Sequence, residues 1–156
     1  HCKGCWAQHT WNPLQGRPTS ECMQEIEEIL KTNDIDGVSI LGGDPLFSTF
    51  NEGSSDDLIA IIDLCKSYGK SVWVWSGYSL DDIYHTDKRV LEKIDVLVEG
   101  KYDESKRDLN LFYRGSSNQR VIFMEAPSDG VEYKHYVLSL LDDGYSLEEC
   151  NGESDK

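Results

Sequence analysis

With 156 residues, the chain is long enough for one domain with a substantial buried core. Its 29 acidic and 15 basic side chains leave a net charge of -14, which phosphate backbones repel, so nucleic acid is not an expected partner. No run approaches the ~20 apolar residues of a membrane-spanning helix, no secretory signal is visible, and an odd count of five cysteines in a mixed composition fits a reducing, cytoplasmic setting rather than a disulfide scaffold.

In chain order, a Cys2-Lys3-Gly4-Cys5-Trp6 turn comes first. Pro18, Thr19 and Ser20 then open a helix whose apolar stripe is Cys22, Met23, Ile26, Ile29 and Leu30. Val38 to Leu41 reads as a short strand running into Gly42-Gly43-Asp44-Pro45, and Phe47 to Gly53 as a loop. Ser54 or Ser55 caps a second helix with Leu58, Ile61, Ile62 and Cys65 on one side, stopped by Gly69. Val72 to Trp75 is the next strand, and a short helix capped by Ser79 follows, then a helical turn around Val90 and Leu91. Ile94 to Val98 and Arg120 to Met124 are the remaining clear strands, separated by a polar loop that includes Arg114 to Gln119.

Strands alternating with amphipathic helices predict an α/β fold built on a short parallel sheet. Three strands end in glycine-containing turns, at Gly42-Gly43, Ser76-Gly77 and Glu99-Gly100-Lys101. Ligands in parallel α/β folds sit at the carboxyl ends of strands, so these turns are expected to converge on one site. Residues 1–124 form the main domain in this reading. Residues 125–156 are an extension with one possible helix, Tyr133 to Leu141, and a frayed acidic tail.

Cys2 and Cys5 are spaced so that both sulfurs can face one metal centre, but this pattern alone serves zinc, iron–sulfur clusters and thiol redox chemistry alike. Structural zinc needs two further ligands, and only His1 and His9 are near. The Gly42-Gly43 turn exposes backbone N–H and C=O groups to a ligand, and Asp44 suits a cation, an amine or the cap of the next turn. His85 and His135, among polar neighbours, read as surface residues. Trp73 and Trp75 share one face of their strand and are expected to pack on a helix, whereas Trp11 suits either a cofactor or a partner.

Together, Cys2-Lys3-Gly4-Cys5-Trp6, Gly42-Gly43-Asp44-Pro45-Leu46, Trp73-Val74-Trp75-Ser76-Gly77-Tyr78, Glu99-Gly100-Lys101-Tyr102 and Arg114-Gly115-Ser116-Ser117-Asn118-Gln119 resemble the anaerobic ribonucleotide reductase activating proteins. These are small radical S-adenosylmethionine (SAM) enzymes, and the resemblance covers roughly residues 1–122. It implies a partial (β/α) barrel open on one side, and a 4Fe–4S cluster held by three cysteines. Cys2 and Cys5 match the second and third, and the first is expected four positions ahead of Cys2. It further implies SAM on the fourth iron, with its amino group at Gly42, Gly43 and Asp44. The adenosyl part falls by Gly4, Cys5 and Trp6, and the carboxylate and ribose near Ser76, Glu99 and Lys101. Ala7 stands where the family usually has asparagine, and Glu99 where it has aspartate.

The implied reaction is reductive cleavage of SAM, followed by generation of a glycyl radical on the reductase's large subunit, with an electron donor protein as second partner. The Arg114 to Gln119 loop is expected to help dock the glycine-bearing loop. Two other readings are another short radical SAM enzyme, of the pyruvate formate-lyase activating or 7-carboxy-7-deazaguanine synthase type, and a non-catalytic metal-binding module.

Overall fold

The computed structural model describes residues 2–5 and 7–152. Four helices, α1 (Thr19–Thr32), α2 (Phe47–Asn51), α3 (Asp56–Ser67) and α4 (Leu80–Asp87), accompany six strands. The strands are β1 (Gly37–Ile40), β2 (Ser71–Ser76), β3 (Val96–Glu99), β4 (Arg120–Phe123), β5 (His135–Leu141) and β6 (Gly144–Cys150). They form one sheet in which every strand neighbours the next in sequence. The fold is thus α/β, as composition and periodicity predict.

The sheet is mixed, not parallel throughout. β1, β2 and β3 run parallel, β3 pairs β4 antiparallel, β4 pairs β5 parallel, and β5 pairs β6 antiparallel. The cause lies in the connections. A parallel pair usually needs a crossover helix, and α3 and α4 serve β1–β2 and β2–β3. Between β3 and β4 there is only a one-turn 3₁₀ helix, Glu104–Lys106, and the chain simply turns back.

Two segments depart from their expected secondary structure. Phe47 to Gly53 contains the short helix α2, not only a loop. Tyr133 to Leu141 contains strand β5, not a helix: it is joined to β6 by the two-residue turn Asp142–Asp143, so that Leu141 faces Gly144 in register. A tight acidic turn followed by glycine is a hairpin signal that outweighs the helical spacing of Tyr133, Val137 and Leu140. Of the tail expected to fray, residues 153–156 lie outside the described residues.

The sheet's two faces carry different cores. Val72, Val74, Leu97, Ile122 and Leu138 point to the helix side, where they join Leu58, Ile62, Cys65, Leu80 and Ile83. The helical turn expected around Val90 and Leu91 buries both residues here. Val96, Val98, Val121 and Phe123 point the other way with Trp73, Trp75 and Tyr133. Because side chains alternate along a strand, placing Val72 and Val74 on the helices turns both tryptophans away from them. Trp73 and Trp75 therefore pack on each other at 5.7 Å, and Trp73 meets Tyr113 and Phe123, instead of the expected helix. His135, expected at the surface, is buried beside Phe123 with its Nδ1 3.0 Å from the Tyr133 carbonyl, whereas His85 is exposed.

Candidate cofactor site

The carboxyl ends of β1 and β2 are tied together by one carboxylate. Asp44 follows β1 and accepts the Leu46 N–H at 3.0 Å, which caps the turn into α2. It also accepts the Gly77 N–H at 2.7 Å and the Ser76 hydroxyl at 2.9 Å, both from the end of β2. Ser76, nearly buried, in turn accepts the Tyr78 N–H at 3.1 Å. Three donors on one ionised oxygen pair make a strong, directional clamp. Asp44 therefore combines the turn-capping role with a second function as a strand-end tie.

Between these turns lies a cleft of about 590 Å³, within the size range of small-molecule sites. Gly43, Asp44 and Gly77 line it from the strand ends, Lys101 from beyond β3, and Cys2 from the N-terminal turn. Two of the three expected strand-end turns thus converge directly, and Lys101 brings the third. A β-carbon on Gly43 would lie 2.9 Å from the Thr10 carbonyl, so only glycine lets this turn approach the N-terminal segment so closely. Gly42 adopts φ +127°, open to glycine alone among common residues.

The N-terminal turn is held from behind. The Cys5 N–H donates to the Cys2 carbonyl at 3.2 Å, closing a turn that leaves both thiols half-buried. Gly4 has φ +81°, and a β-carbon there would sit 2.5 Å from the Glu104 carboxylate. Glu104 accepts the Tyr102 hydroxyl. That bond pushes the Tyr102 phenol up from its ordinary range, so the hydroxyl remains a donor. The Tyr102 ring also lies 3.2 Å from the position of a Gly115 β-carbon. Tyr102 is therefore wedged between the Cys2–Cys5 turn and the loop before β4.

The other expected site residues divide. Gly4, Cys5, Gly42 and Ser76 do not line the cleft. Ser76 is bonded to Asp44 and Cys5 to Cys2, Gly42 adjoins Gly43, Gly4 lies in the cysteine turn, and Trp6 lies outside the described residues. Glu99 is turned to the helix side, only 3% exposed, where it pairs with Arg120 and accepts the Leu80 N–H at 3.2 Å. The structure brings Lys101 to the cleft and leaves Glu99 out of it, since two residues on, the chain has rounded Gly100 at φ +108°. Thr10, Trp11, Phe47 and Tyr78 are among the remaining wall residues. Of these, Tyr78 has the clearest function: its ring stacks on Phe50 at 3.7 Å and fixes α2 against the strand ends. Its place directly after Ser76-Gly77 was a usable signal.

Among the described residues, no group of three or more His, Cys, Asp or Glu side chains is placed to hold a metal ion. Cys2 at the cleft edge and Cys5, joined to it through the turn, form a pair of soft thiols that suits iron–sulfur ligation as two donors of a three-cysteine set. The glycine backbone opposite suits the zwitterionic end of an amino acid. All five cysteines are free.

Comparison with known proteins agrees with this donor set. Residues 1–122 match the family described as a 4Fe-4S single cluster domain. The anaerobic ribonucleoside-triphosphate reductase-activating protein of Escherichia coli K12 is 35% identical over 126 residues, covering 77% of this chain and 79% of that protein. The protein of that name from enterobacteria phage T4 is 33% identical over 135 residues, 86% and 81% of the two chains. That from Vibrio cholerae is 36% identical over 126 residues, 76% and 77%. No solved structure gives a significant match. With a cysteine turn, a glycine cradle and a cationic lysine around one cleft, the chain belongs to the anaerobic ribonucleoside-triphosphate reductase-activating proteins, radical SAM activating enzymes with a 4Fe–4S domain.

Proposed function

We propose that this enzyme reductively cleaves SAM in the cleft at the strand ends and leaves a glycyl radical on the large subunit of an anaerobic ribonucleoside-triphosphate reductase. The observation that carries the reading is the shared cleft of Cys2, Gly43, Asp44 and Lys101, which come from three separate parts of the chain. When bound, the reduced cluster and SAM supply one electron and a primary carbon radical that takes a hydrogen atom from a glycine Cα.

The chain's residues hold and orient. Cys2 and Cys5 are two of the cluster's thiolate ligands, and Gly4 sets the turn between them. Gly42 and Gly43 present backbone groups to the SAM amino group, while Asp44, already clamped to Gly77, keeps that backbone rigid. Ser76 acts through Asp44. Lys101 is placed to neutralise the SAM carboxylate, and Trp11 and Tyr78 exclude water from the cleft. Glu99 serves this site indirectly, by anchoring the start of α4 beside β3. For Trp6 the proposed place is the adenosyl side.

A family match ending at residue 122 supports a main domain over 1–124, with 125–156 as an extension that continues its sheet. Parallel β1–β3 with outside helices supports the arc of a partial barrel. Free thiols support a reducing, cytoplasmic setting, and no helix among the described residues is long and apolar enough to cross a membrane. An electron donor protein is the second proposed partner, and the net charge of -14 supports the absence of nucleic acid.

The test is anaerobic reconstitution of the full chain with iron and sulfide, then strong reductant and SAM. Visible iron–thiolate absorbance, release of 5′-deoxyadenosine and a glycyl radical signal on the added reductase subunit are expected. A colourless, iron-free protein after reconstitution would overturn the reading.

A further inference from the structure

The loop between β3 and β4 carries a surface that the cleft does not use. Its stem is braced from within. Ser116 is fully buried, and its hydroxyl accepts the Asp103 N–H at 3.1 Å. The Gln119 carboxamide accepts the Gly115 N–H at 2.9 Å and donates to the Gly100 carbonyl at 2.9 Å. Asn118 donates to the Lys101 carbonyl at 2.9 Å. The Gly115 to Gln119 part of the Arg114 to Gln119 loop, expected to help dock the partner, is thus bonded within the fold as a brace.

What the brace holds out includes three exposed apolar side chains. An Arg107–Ser116 bridge closes the loop, so residues 108–114 form its tip. There Leu109 is 83% exposed, Phe112 48% and Tyr113 52%. In so acidic a chain, such side chains on a braced tip mark a contact surface. Tyr113 has φ +61°, the one non-glycine positive φ among the described residues. Such backbone costs on the order of 1 kcal/mol or more and persists only where its surroundings enforce it. Here the Trp75 indole N–H donates to the Tyr113 carbonyl at 2.7 Å, and Trp73 packs on the Tyr113 ring at 4.8 Å.

Trp75 lies two residues before Gly77, which lines the cleft, and Tyr102 rests against both Gly4 of the cysteine turn and Gly115 at the base of the loop, so the loop stem adjoins the cleft. Hydrogen transfer needs the partner's glycine Cα at van der Waals distance from the reacting carbon. A glycine has no side chain to grip, so purchase must come from its flanking residues on a surface adjoining the cleft. We propose that the tip of Leu109, Phe112 and Tyr113, together with the half-exposed Trp73–Trp75 face, docks the glycine-bearing segment of the reductase large subunit. This inference deepens the proposed function and rests on it for the identity of the partner.

The test uses Leu109→Ser and the double variant with Phe112→Ser. Binding of the purified large subunit is measured separately from partner-free SAM cleavage and from the spectrum of the reduced cluster. The double variant is expected to weaken subunit binding about tenfold or more, and glycyl radical yield should fall with it, while cluster spectrum and partner-free cleavage stay as in the parent. Leu109→Ser alone, at a site too exposed to unfold the chain, should show a smaller loss in the same direction. Unchanged affinity in both variants overturns the proposal. So does a change in self-association alone, which would make the tip an interface between two copies of this chain. Failure of the parent to cleave SAM would count against the proposed function and leave the binding comparison readable.

Discussion

The two faces of the sheet are built from the same strands yet closed by different means. On one, Leu97, Val74, Ile122 and Leu138 meet α1, α3 and α4 and are at most 2% exposed. On the other, Val96, Val98, Val121 and Phe123 are covered by tryptophans and by loop residues such as Tyr113 and Tyr133, several of which stay half-open. A helix closes a face for good, because its whole stripe must be displaced to reopen it. A loop with aromatic side chains closes a face while leaving ring surface for a partner. The first face therefore stores the stability, and the second is free to serve contact.

The largest expected effect breaks that division if it is wrong. Leu97→Ala should cost about 3 kcal/mol in urea unfolding, as a fully buried leucine truncated in a packed core. Leu109→Ala, on the loop tip, should stay within about 0.5 kcal/mol. Equal losses would mean that the loop side is as much a core as the helix side.

Next in size is Asp44→Ala, at the point where strand-end stability and cofactor geometry meet. It strands the Gly77 and Leu46 N–H groups and the Ser76 hydroxyl, at a cost of about 2 kcal/mol. SAM retention by the reconstituted protein, read by equilibrium dialysis, should fall more than the unfolding midpoint alone predicts. Retention equal to the parent's would leave Asp44 as a turn cap only.

Gly4→Ala should separate function from stability more sharply. Its φ of +81° and the 2.5 Å approach to Glu104 make a side chain costly there, locally about 1–2 kcal/mol. The turn lies outside both cores, so iron and sulfide per chain should drop after reconstitution while the thermal midpoint barely moves. A full iron complement would show that the turn shifts away from Glu104 at little cost.

How much of this was legible beforehand follows from the range of the interactions. Helix stripes, the first three strands and the glycine turns are local patterns, and they stand where the residues predict. The cleft's convergence followed from a rule about strand ends. Glu99 shows the limit: its place in a motif suggested a ligand contact, but the strand's alternation, fixed by its pairing with β2 and β4, turns it to Arg120 on the helix side. His135 is similar, since its burial depends on Phe123 and Tyr133 from other strands and loops. The Arg114–Gln119 stretch gives no local sign of its bracing, because Ser116, Asn118 and Gln119 also reach Asp103, Lys101 and Gly100, a dozen or more residues away.

The smallest effect tests the helix side at its edge, through pH. Asp87 ends α4, with its side chain 13% exposed against Arg89. Hydrogen bonds from Arg89 hold its carboxyl below the ordinary aspartate range, with burial opposing. A depressed folded pKa stabilises the protein above the ordinary value of about 3.9. That contribution is lost as pH falls through the lower, folded value. Asp87→Asn should therefore lower the thermal midpoint by a fixed amount above about pH 4, and the gap to the parent should close on further acidification. Glu25, Glu27, Asp103 and Glu149 are also held low, but both proteins carry them, so they cancel in the difference. Because Arg89 is 54% exposed, solvent screens the pair and the gap should be small and shrink with added salt. A gap that persists unchanged below the folded pKa would mean that Asp87 acts through its hydrogen-bond geometry, which asparagine fails to reproduce, and not through its charge.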